Sequence, residues 1–307
     1  MEKIAILGRG IIGSSWAVVF ARAGHSVAIW DRKREGSETV LAPARRILDG
    51  LRGTALAGPA EAARNLSSTD DPAALLADAA FIQESVPEDL ALKRSVIALV
   101  ESHADDSAII ASSTSAIVPS ALAQAMRNPE RLIVAHPLTP PHLLPVTEIV
   151  ASSRTAPRVI EQTEALMRRV GQHPIRIKKE VGGFALNRVL GAMLNELFHL
   201  IAEDVLDPDD ADAGLTQGFG LRWACMGPLA AMDLNAPDGI AGYLRRYGHL
   251  SRAVAEERGA KPGLSEEVIR RLDLAMRAKH PLSAAEERKR ARDQAVAKLR
   301  AARVLVT

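Results

Sequence analysis

The first part of the chain alternates short apolar runs with longer stretches of helix-forming residues. The run Ile4–Leu7 is continuously apolar, which is typical of a parallel strand buried on both faces. Strands that alternate with helical segments predict a mostly parallel, doubly wound sheet of the Rossmann type. Further strands are predicted at Val27–Asp31, Ala80–Glu84, Ala108–Ser112, Leu132–His136, Val146–Val150 and Ile175–Lys178.

The pattern changes at Gly182, beyond which the residues favour helices. Phe184–Asp204 is a long run of helix formers. Asp207 and Pro208 are typical of a helix start, with Asp as N-cap and Pro at the first helical position. We therefore predict an α/β domain over 1–181 and an all-α domain over 182–307. A long helical stretch, broken near Gly53, is also predicted over Lys33–Arg64 inside the first domain.

A glycine fingerprint follows the first strand and opens the first helix. Gly8 permits a tight turn, Gly10 lets the backbone approach a pyrophosphate, and Gly13 lets the helix pack closely on the strand. Asp31 ends the second strand, where a carboxylate accepts hydrogen bonds from an adenosine ribose and repels a 2′-phosphate. This arrangement predicts a dinucleotide site that prefers NAD to NADP, although the cations that follow Asp31 at 32–34 are suited to that phosphate.

Bulk properties exclude several classes of function. The 307 residues carry a net charge of +2, which gives no case for binding nucleic acid or a membrane surface. The sole cysteine, Cys225, excludes an internal disulfide and is interpreted as a small buried hydrophobe. No apolar run is long enough for a membrane span, and strand one begins too early for a signal peptide. We expect a cytoplasmic protein without a metal site.

Polar residues stand where the predicted strands end, which is where open α/β sheets bind ligands. Ser112–Ser115 follows one strand, and His136 closes the next. Glu148 lies on an apolar strand face, where a carboxylate is costly unless it is paired, so His136 is its expected partner. The pair is either a general base with its orienting acid or a structural contact. Asn187 is either a substrate ligand or a buried hydrogen bond between domains.

These motifs together resemble the 3-hydroxyacyl-CoA dehydrogenase superfamily, in particular its branch that contains lambda-crystallin and L-gulonate 3-dehydrogenase. The resemblance covers nearly the whole chain. It rests on the stretches 8–16 (GRGIIGSSW), 83–90 (QESVPEDL), 112–115 (SSTS), 135–137 (AHP) with 140–141 (PP), 183–188 (GFALNR), 220–223 (GLRW) and 227–229 (GPL).

The resemblance implies roles for individual residues. It implies that His136 removes the proton of a 3-hydroxyl group while Glu148 orients the imidazole. Ser115 and Asn187 are implied to hold the reacting oxygen. The family is typically dimeric through its helical domain, so a homodimer is expected. Cofactor contacts are implied at Ile11, Ile12, Asp31, Glu88 and Lys93.

The chain departs from the acyl-CoA enzymes at Pro137–Pro140, which replaces their Phe-Phe-Asn-Pro, and at Arg222 and Trp223, which stand where they tend to have Tyr-Pro. Arginine offers two parallel hydrogen bonds to a carboxylate, which a thioester lacks. We hypothesise that Arg222 binds the carboxylate of a free 3-hydroxy acid; the alternative is a salt bridge at the surface or between domains.

The sequence thus predicts an NAD-dependent dehydrogenase of a small 3-hydroxy acid such as L-gulonate. A 3-hydroxyacyl-CoA dehydrogenase is the first alternative. Arginines after strand two either contact the CoA phosphates or lie on solvated helix faces; they are Arg45, Arg46, Arg52 and Arg64. A non-catalytic NAD-binding protein is the second. The presence of all four residues Ser115, His136, Glu148 and Asn187 disfavours this second alternative.

Overall fold

The protein is described by a computed structural model that covers residues 2–33, 36–224, 227–235 and 239–259. Beyond these it describes 282–284, 287, 290, 291, 294, 297, 298 and 302. The chain divides into two compact units: one comprises Met1–Arg188 with Val296–Lys298, and the other comprises Val189–Ala295 with Leu299–Thr307. The boundary predicted between 181 and 182 stays a prediction.

The described part of the first unit contains an eight-stranded sheet with the order β3-β2-β1-β4-β5-β6-β7-β8. Neighbouring strands in it run parallel, apart from the antiparallel pair β6 and β7. The strand order reverses beside β1, and such a switch point is where doubly wound sheets bind ligands. The strands are β1 (Lys3–Leu7), β2 (Ser26–Trp30), β3 (Leu66–Ser68), β4 (Ala79–Glu84), β5 (Ile109–Ser112), β6 (Leu132–Pro137), β7 (Val146–Val150) and β8 (His173–Ile177).

Successive residues of a strand point to opposite faces of the sheet, and here the residues on both faces are apolar. Helices of this unit therefore pack against the sheet. Ile4 and Ile6 belong to one buried cluster, whereas Ala5 and Leu7 belong to a second. The described helices of the unit are α1 (Ile11–Arg22), α2 (Ser37–Leu51), α3 (Pro72–Leu76), α4 (Leu90–His103), α5 (Pro119–Leu122) and α6 (Pro157–Arg169).

The second unit is helical in the residues described, as predicted. Helix α7 (Leu186–Ala202) begins in the first unit and continues into the second, and a π-helical turn spans Gly214–Phe219. The remaining helices are α8 (Pro208–Ala213), α9 (Gly220–Trp223), α10 (Pro228–Leu234) and α11 (Gly239–Arg258). The predicted α/β fold followed by a helical domain is therefore confirmed.

Several predicted element bounds differ from the structure for identifiable reasons. Helix α7 starts at Leu186 rather than Phe184, because Phe184 has a φ of 49°, which an α-helix does not accommodate. The helical stretch predicted over Lys33–Arg64 with a break near Gly53 forms α2, which ends at Leu51, and a separate 3₁₀ helix at Ala60–Asn65, so the structure has the predicted break. Strand β3 has three residues, and too few of them are apolar to signal a strand.

Two predictions fall on parts of the chain that the structure does not describe. Cys225 lies outside the described residues, as does most of the charged segment Ala284–Arg303. None of the helices that are described combines the length and the apolar character needed to cross a bilayer. The cytoplasmic location stays a prediction.

Candidate active site

The three fingerprint glycines meet different constraints at the turn between β1 and α1. Gly8 has a φ of 102°, and a Cβ there would lie 2.6 Å from the carbonyl oxygen of Ser85. A Cβ on Gly13 would lie 1.9 Å from the carbonyl oxygen of Gly8. A Cβ on Gly10 would meet nothing within 4 Å. Gly8 and Gly13 therefore shape the turn itself, whereas Gly10 leaves open space where a phosphate can approach the backbone.

Asp31 follows the end of β2 and faces the same turn. Its Oδ2 accepts a hydrogen bond from the backbone N–H of Arg9 at 3.2 Å, and its Oδ1 accepts one from the backbone N–H of Lys33 at 3.0 Å. The Nε of Arg9 lies 4.0 Å from Oδ2. These contacts fix the carboxylate, and each oxygen keeps a lone pair for the hydroxyl of a ribose.

A cavity of about 730 Å³ runs through the first unit along the carboxyl ends of the strands. Its wall includes nine of the predicted residues, whereas Gly13, Glu148 and Asn187 are not among the residues that line it. The predicted residues in the wall are Gly8, Gly10, Ile11, Ile12, Asp31, Glu88, Lys93, Ser115 and His136. Ile11 is 72% exposed at the start of α1, whereas Ile12 packs against the core.

His136 and Glu148 lie opposite each other in the antiparallel pair β6–β7. The imidazole Nδ1 lies 2.9 Å from the Oε2 of Glu148, whose side chain is fully buried. The other carboxylate oxygen, Oε1, accepts hydrogen bonds from the backbone N–H groups of Ala185 and Leu186 at 2.8 and 3.0 Å. Because an ionised carboxylate only accepts, Nδ1 carries the proton, and Nε2 is left as the basic nitrogen.

Two opposing effects act on the pKa of Glu148. Burial raises this pKa, whereas the hydrogen bonds from His136, Leu186 and Ala185 and the charge of the imidazole lower it. The lowering effects prevail, so the pKa of Glu148 lies below its ordinary value. The carboxylate is consequently ionised at neutral pH, as an acid that orients an imidazole must be.

Ser115 and Asn187 are joined through the backbone of the turn that follows β5. The Nδ2 of Asn187 donates to the carbonyl oxygen of Ser115 at 2.9 Å. The N–H of Ser115 donates to the Oε1 of Glu88 at 3.0 Å. Asn187 directly follows Ala185 and Leu186, the two residues whose N–H groups bind Glu148. The start of α7 therefore contacts both Glu148 and the turn that carries Ser115.

Glu88, which is exposed, and the buried Lys93 belong to a network in which sequence reasoning missed a central residue, the buried Glu84. Lys93 is 1% exposed, and its Nζ donates to Glu84 at 2.9 Å and to the carbonyl oxygen of Val86 at 3.1 Å. The same Nζ lies 3.5 Å from Glu88. The three hydrogens on the Nζ of Lys93 are thus directed at protein groups, and these contacts hold the loop between β4 and α4. The signal for Glu84 was present, since it is a carboxylate at the end of an apolar strand.

Glu88 fastens the turn after β5 to this network. Its Oε1 accepts hydrogen bonds from the Thr114 hydroxyl at 2.5 Å and from the backbone N–H of Ala116 at 3.1 Å. Burial raises the pKa of Glu88, but these bonds and the charge of Lys93 outweigh it, so the pKa lies below its ordinary value.

Arg222 lies on α9 in the second unit, and it is exposed there. The structure brings Ser115, His136, Glu148 and Asn187 together within the first unit. The role of Arg222 as a carboxylate ligand stays a prediction.

Comparison with known proteins gives matches over most of the chain. Residues 3–181 match the NAD binding domain of 3-hydroxyacyl-CoA dehydrogenase, and residues 183–281 match the C-terminal domain of that enzyme. The chain is 37% identical over 282 residues to a lambda-crystallin homolog of Bos taurus, covering 91% of this chain and 88% of that protein. It is 35% identical over 249 residues to an L-carnitine dehydrogenase of Bacillus cereus, covering 81% and 76% respectively.

A solved structure also matches over nearly the whole length. It is the NAD⁺-dependent dismutase 5-formyl-3-hydroxy-2-methylpyridine 4-carboxylic acid 5-dehydrogenase. The TM-score is 0.82 at 28% identity, and the match covers 98% of this chain and 97% of that chain.

The glycine geometry predicts different effects for two alanine substitutions. Gly10→Ala should keep the fold and raise the dissociation constant of NADH tenfold or more, a loss of ~1.4 kcal/mol, because its methyl group enters the phosphate space. Gly13→Ala should destabilise the fold by about 1–3 kcal/mol or more, because its methyl group meets backbone. Fluorescence titration with NADH and thermal unfolding measure the two effects. Equal loss of stability in both variants would contradict the assignment.

The depressed pKa of Glu148 predicts a pH-dependent loss of stability in Glu148→Gln. The ionised carboxylate stabilises the fold fully at pH values above 4.5, which is the ordinary pKa of a glutamate carboxyl group. This contribution disappears as the pH falls through the lower pKa that Glu148 has in the folded state. Near neutral pH the variant should lose about 1–3 kcal/mol of unfolding free energy, and the loss should shrink on acidification. Urea unfolding at several pH values measures it, with exposed Glu61→Gln as the control. A loss that is independent of pH argues against the effect.

Proposed function

The chain belongs to the 3-hydroxyacyl-CoA dehydrogenase family, and we propose that it oxidises the 3-hydroxyl group of a small free 3-hydroxy acid such as L-gulonate. The family match makes it an NAD-dependent oxidoreductase that acts on CH–OH groups. The observation that supports oxidation of a hydroxyl group is the imidazole of His136 in the cavity wall, with its Nδ1 bonded to the buried Glu148.

The residues of the cavity suit NAD. The gap at Gly10 and the N-terminus of α1 offer space and N–H groups to the pyrophosphate. Asp31 offers carboxylate lone pairs to the adenosine ribose, and Glu88 lies farther along the same wall. When bound, NAD supplies the acceptor for the hydride that leaves C3 with its electron pair.

His136 takes the hydroxyl proton on Nε2 as the C3–H bond breaks and the carbonyl forms. Glu148 stabilises the resulting imidazolium through Nδ1, and it keeps its own charge because two backbone N–H groups also bind it. We assign two donors to the reacting oxygen: the Ser115 hydroxyl, which donates to the Oε1 of Glu88 at 3.4 Å in this structure, and the second Nδ2 hydrogen of Asn187. A general base of this kind contributes about 10²–10⁴-fold to the rate.

A free carboxylate is the second feature that we propose for the substrate, with Arg222 as its ligand. The relative named L-carnitine dehydrogenase supports this, since L-carnitine is itself a free 3-hydroxy acid. The substrate named for the dismutase is also a carboxylic acid. Both precedents concern other proteins, so a free carboxylate on the substrate of this protein is a proposal.

A 3-hydroxyacyl-CoA thioester is the alternative substrate, which the family match itself favours. The arginines predicted to contact CoA phosphates give it weaker support. Arg45 pairs with Glu38 and Arg52 pairs with Asp49, so these two cations are neutralised locally on the face of α2 and at its end. Arg46 and Arg64 are exposed.

We also propose a homodimer. Several apolar side chains of the second unit are exposed in the single chain, and burying them between two copies removes apolar surface from water. They include Val189 at 69%, Val205 at 65% and Leu229 at 66% exposed.

A substrate panel read by NADH absorbance tests the reaction. Wild-type protein should turn over free 3-hydroxy acids with a higher kcat/KM than 3-hydroxybutyryl-CoA. His136→Gln should lower kcat by about 10²–10⁴-fold while NADH still binds, because the variant lacks a base and keeps the cofactor wall. Preference for the thioester would replace the proposed substrate class, and a fully active His136→Gln would remove the proposed base.

The carboxylate ligand is tested by Arg222→Met. The variant should raise KM for the preferred hydroxy acid by an amount that corresponds to about 2–5 kcal/mol, because the carboxylate loses its cation. The dissociation constant of NADH should stay the same. Arg246→Met, an exposed arginine on α11, is the matched control. An unchanged KM in Arg222→Met would assign the arginine to another role.

A further inference from the structure

Phe184 has a backbone conformation that is unusual for its residue type. Its φ is 49°, and Gly183 before it has a φ of 72°. A bulky L-residue in this left-handed region is a steric outlier, and such outliers persist where surrounding structure demands them. The residue is fully buried, so the conformation belongs to the core of the first unit.

This conformation directs the next two peptide groups. The N–H of Phe184 closes a turn on the carbonyl oxygen of Val181 at 3.1 Å. The N–H groups of Ala185 and Leu186 then both donate to the same oxygen of Glu148. If α7 continued backwards by a turn through Phe184, these two N–H groups would bond to carbonyl oxygens within the helix. The left-handed residue stops the helix there, so both donors are left for the carboxylate.

The ring of Phe184 acts on the other partner of the pair. Its centroid lies 5.5 Å from that of the His136 imidazole, with an interplanar angle of 52°. The ring belongs to the same buried cluster as Val134 and Val150, which lie on the two strands that carry His136 and Glu148. Close-packed neighbours of this kind restrict the rotation of the imidazole.

We propose that Phe184 is the positioning residue of the His136–Glu148 pair. Its left-handed backbone leaves the N–H groups of Ala185 and Leu186 free to hold the carboxylate, and its ring packs against the imidazole. The proposal rests on the proposed function, in which this pair is the general base. One residue thereby couples both partners, and it is not among the residues that line the cavity.

The test compares Phe184→Leu with Phe81→Leu. Phe81 is another buried phenylalanine of the first unit, whose ring lies 5.9 Å from that of Phe20 and away from the pair. Phe184→Leu should lower kcat by about 10- to 100-fold, as a displaced catalytic group does, and move the acidic limb of the pH–rate profile. NADH affinity should stay the same. Phe81→Leu should lose stability without moving the pH profile. Phe184→Met replaces Phe184→Leu if the latter fails to fold.

A spectroscopic measurement separates this proposal from the proposed function because it needs no turnover. The Nδ1 proton that His136 donates to Glu148 should give a downfield proton NMR signal, to be assigned by its loss in His136→Gln. The signal should persist in Phe81→Leu and shift or vanish in Phe184→Leu. An unchanged signal together with an unchanged pH profile in Phe184→Leu would overturn the positioning role. Lack of activity on free hydroxy acids would instead overturn the substrate class and leave this result intact.

Discussion

The site depends on the fully buried carboxylate of Glu148 and on how it is satisfied. A buried anion is tolerated where hydrogen bonds and a partner offset its lost hydration. Here three donors come from two places in the chain: the imidazole on β6 and two backbone N–H groups at the start of α7. The requirement to satisfy this charge therefore fixes the last strands of the sheet, the tautomer of His136 and the beginning of α7 together.

The other end of the cavity obeys a steric constraint rather than an electrostatic one. Gly8 and Gly13 let backbone segments approach each other at distances that a side chain would block. Between the two ends, the buried pair Glu84–Lys93 and the exposed Glu88 fix the turn that carries Ser115. The cavity wall is thus held by internal contacts along its length, as a preorganised site requires.

The fold could be predicted from the sequence because the patterns that identify its strands and helices are local. Apolar runs marked seven strands, and the changed pattern after Gly182 marked the helical part. Sequence reasoning failed at β3, where the three residues carry too little apolar signal, and at Phe184, whose left-handed backbone follows from tertiary contacts. The pairing of His136 with Glu148 was predictable, because a carboxylate on an apolar strand needs a partner. The N–H donors of Ala185 and Leu186 were not, since backbone groups leave no trace in a sequence pattern.

The residues around Asp31 determine how readily this fold can change its preference from one dinucleotide to another. Arg9, Arg32 and Lys33 line the cavity beside this carboxylate. The attraction that these cations exert on a phosphate is opposed locally by the acid they surround. Selection for a phosphorylated dinucleotide would therefore not have to assemble a basic pocket, because replacing one acid with a neutral residue would expose a basic pocket that already exists.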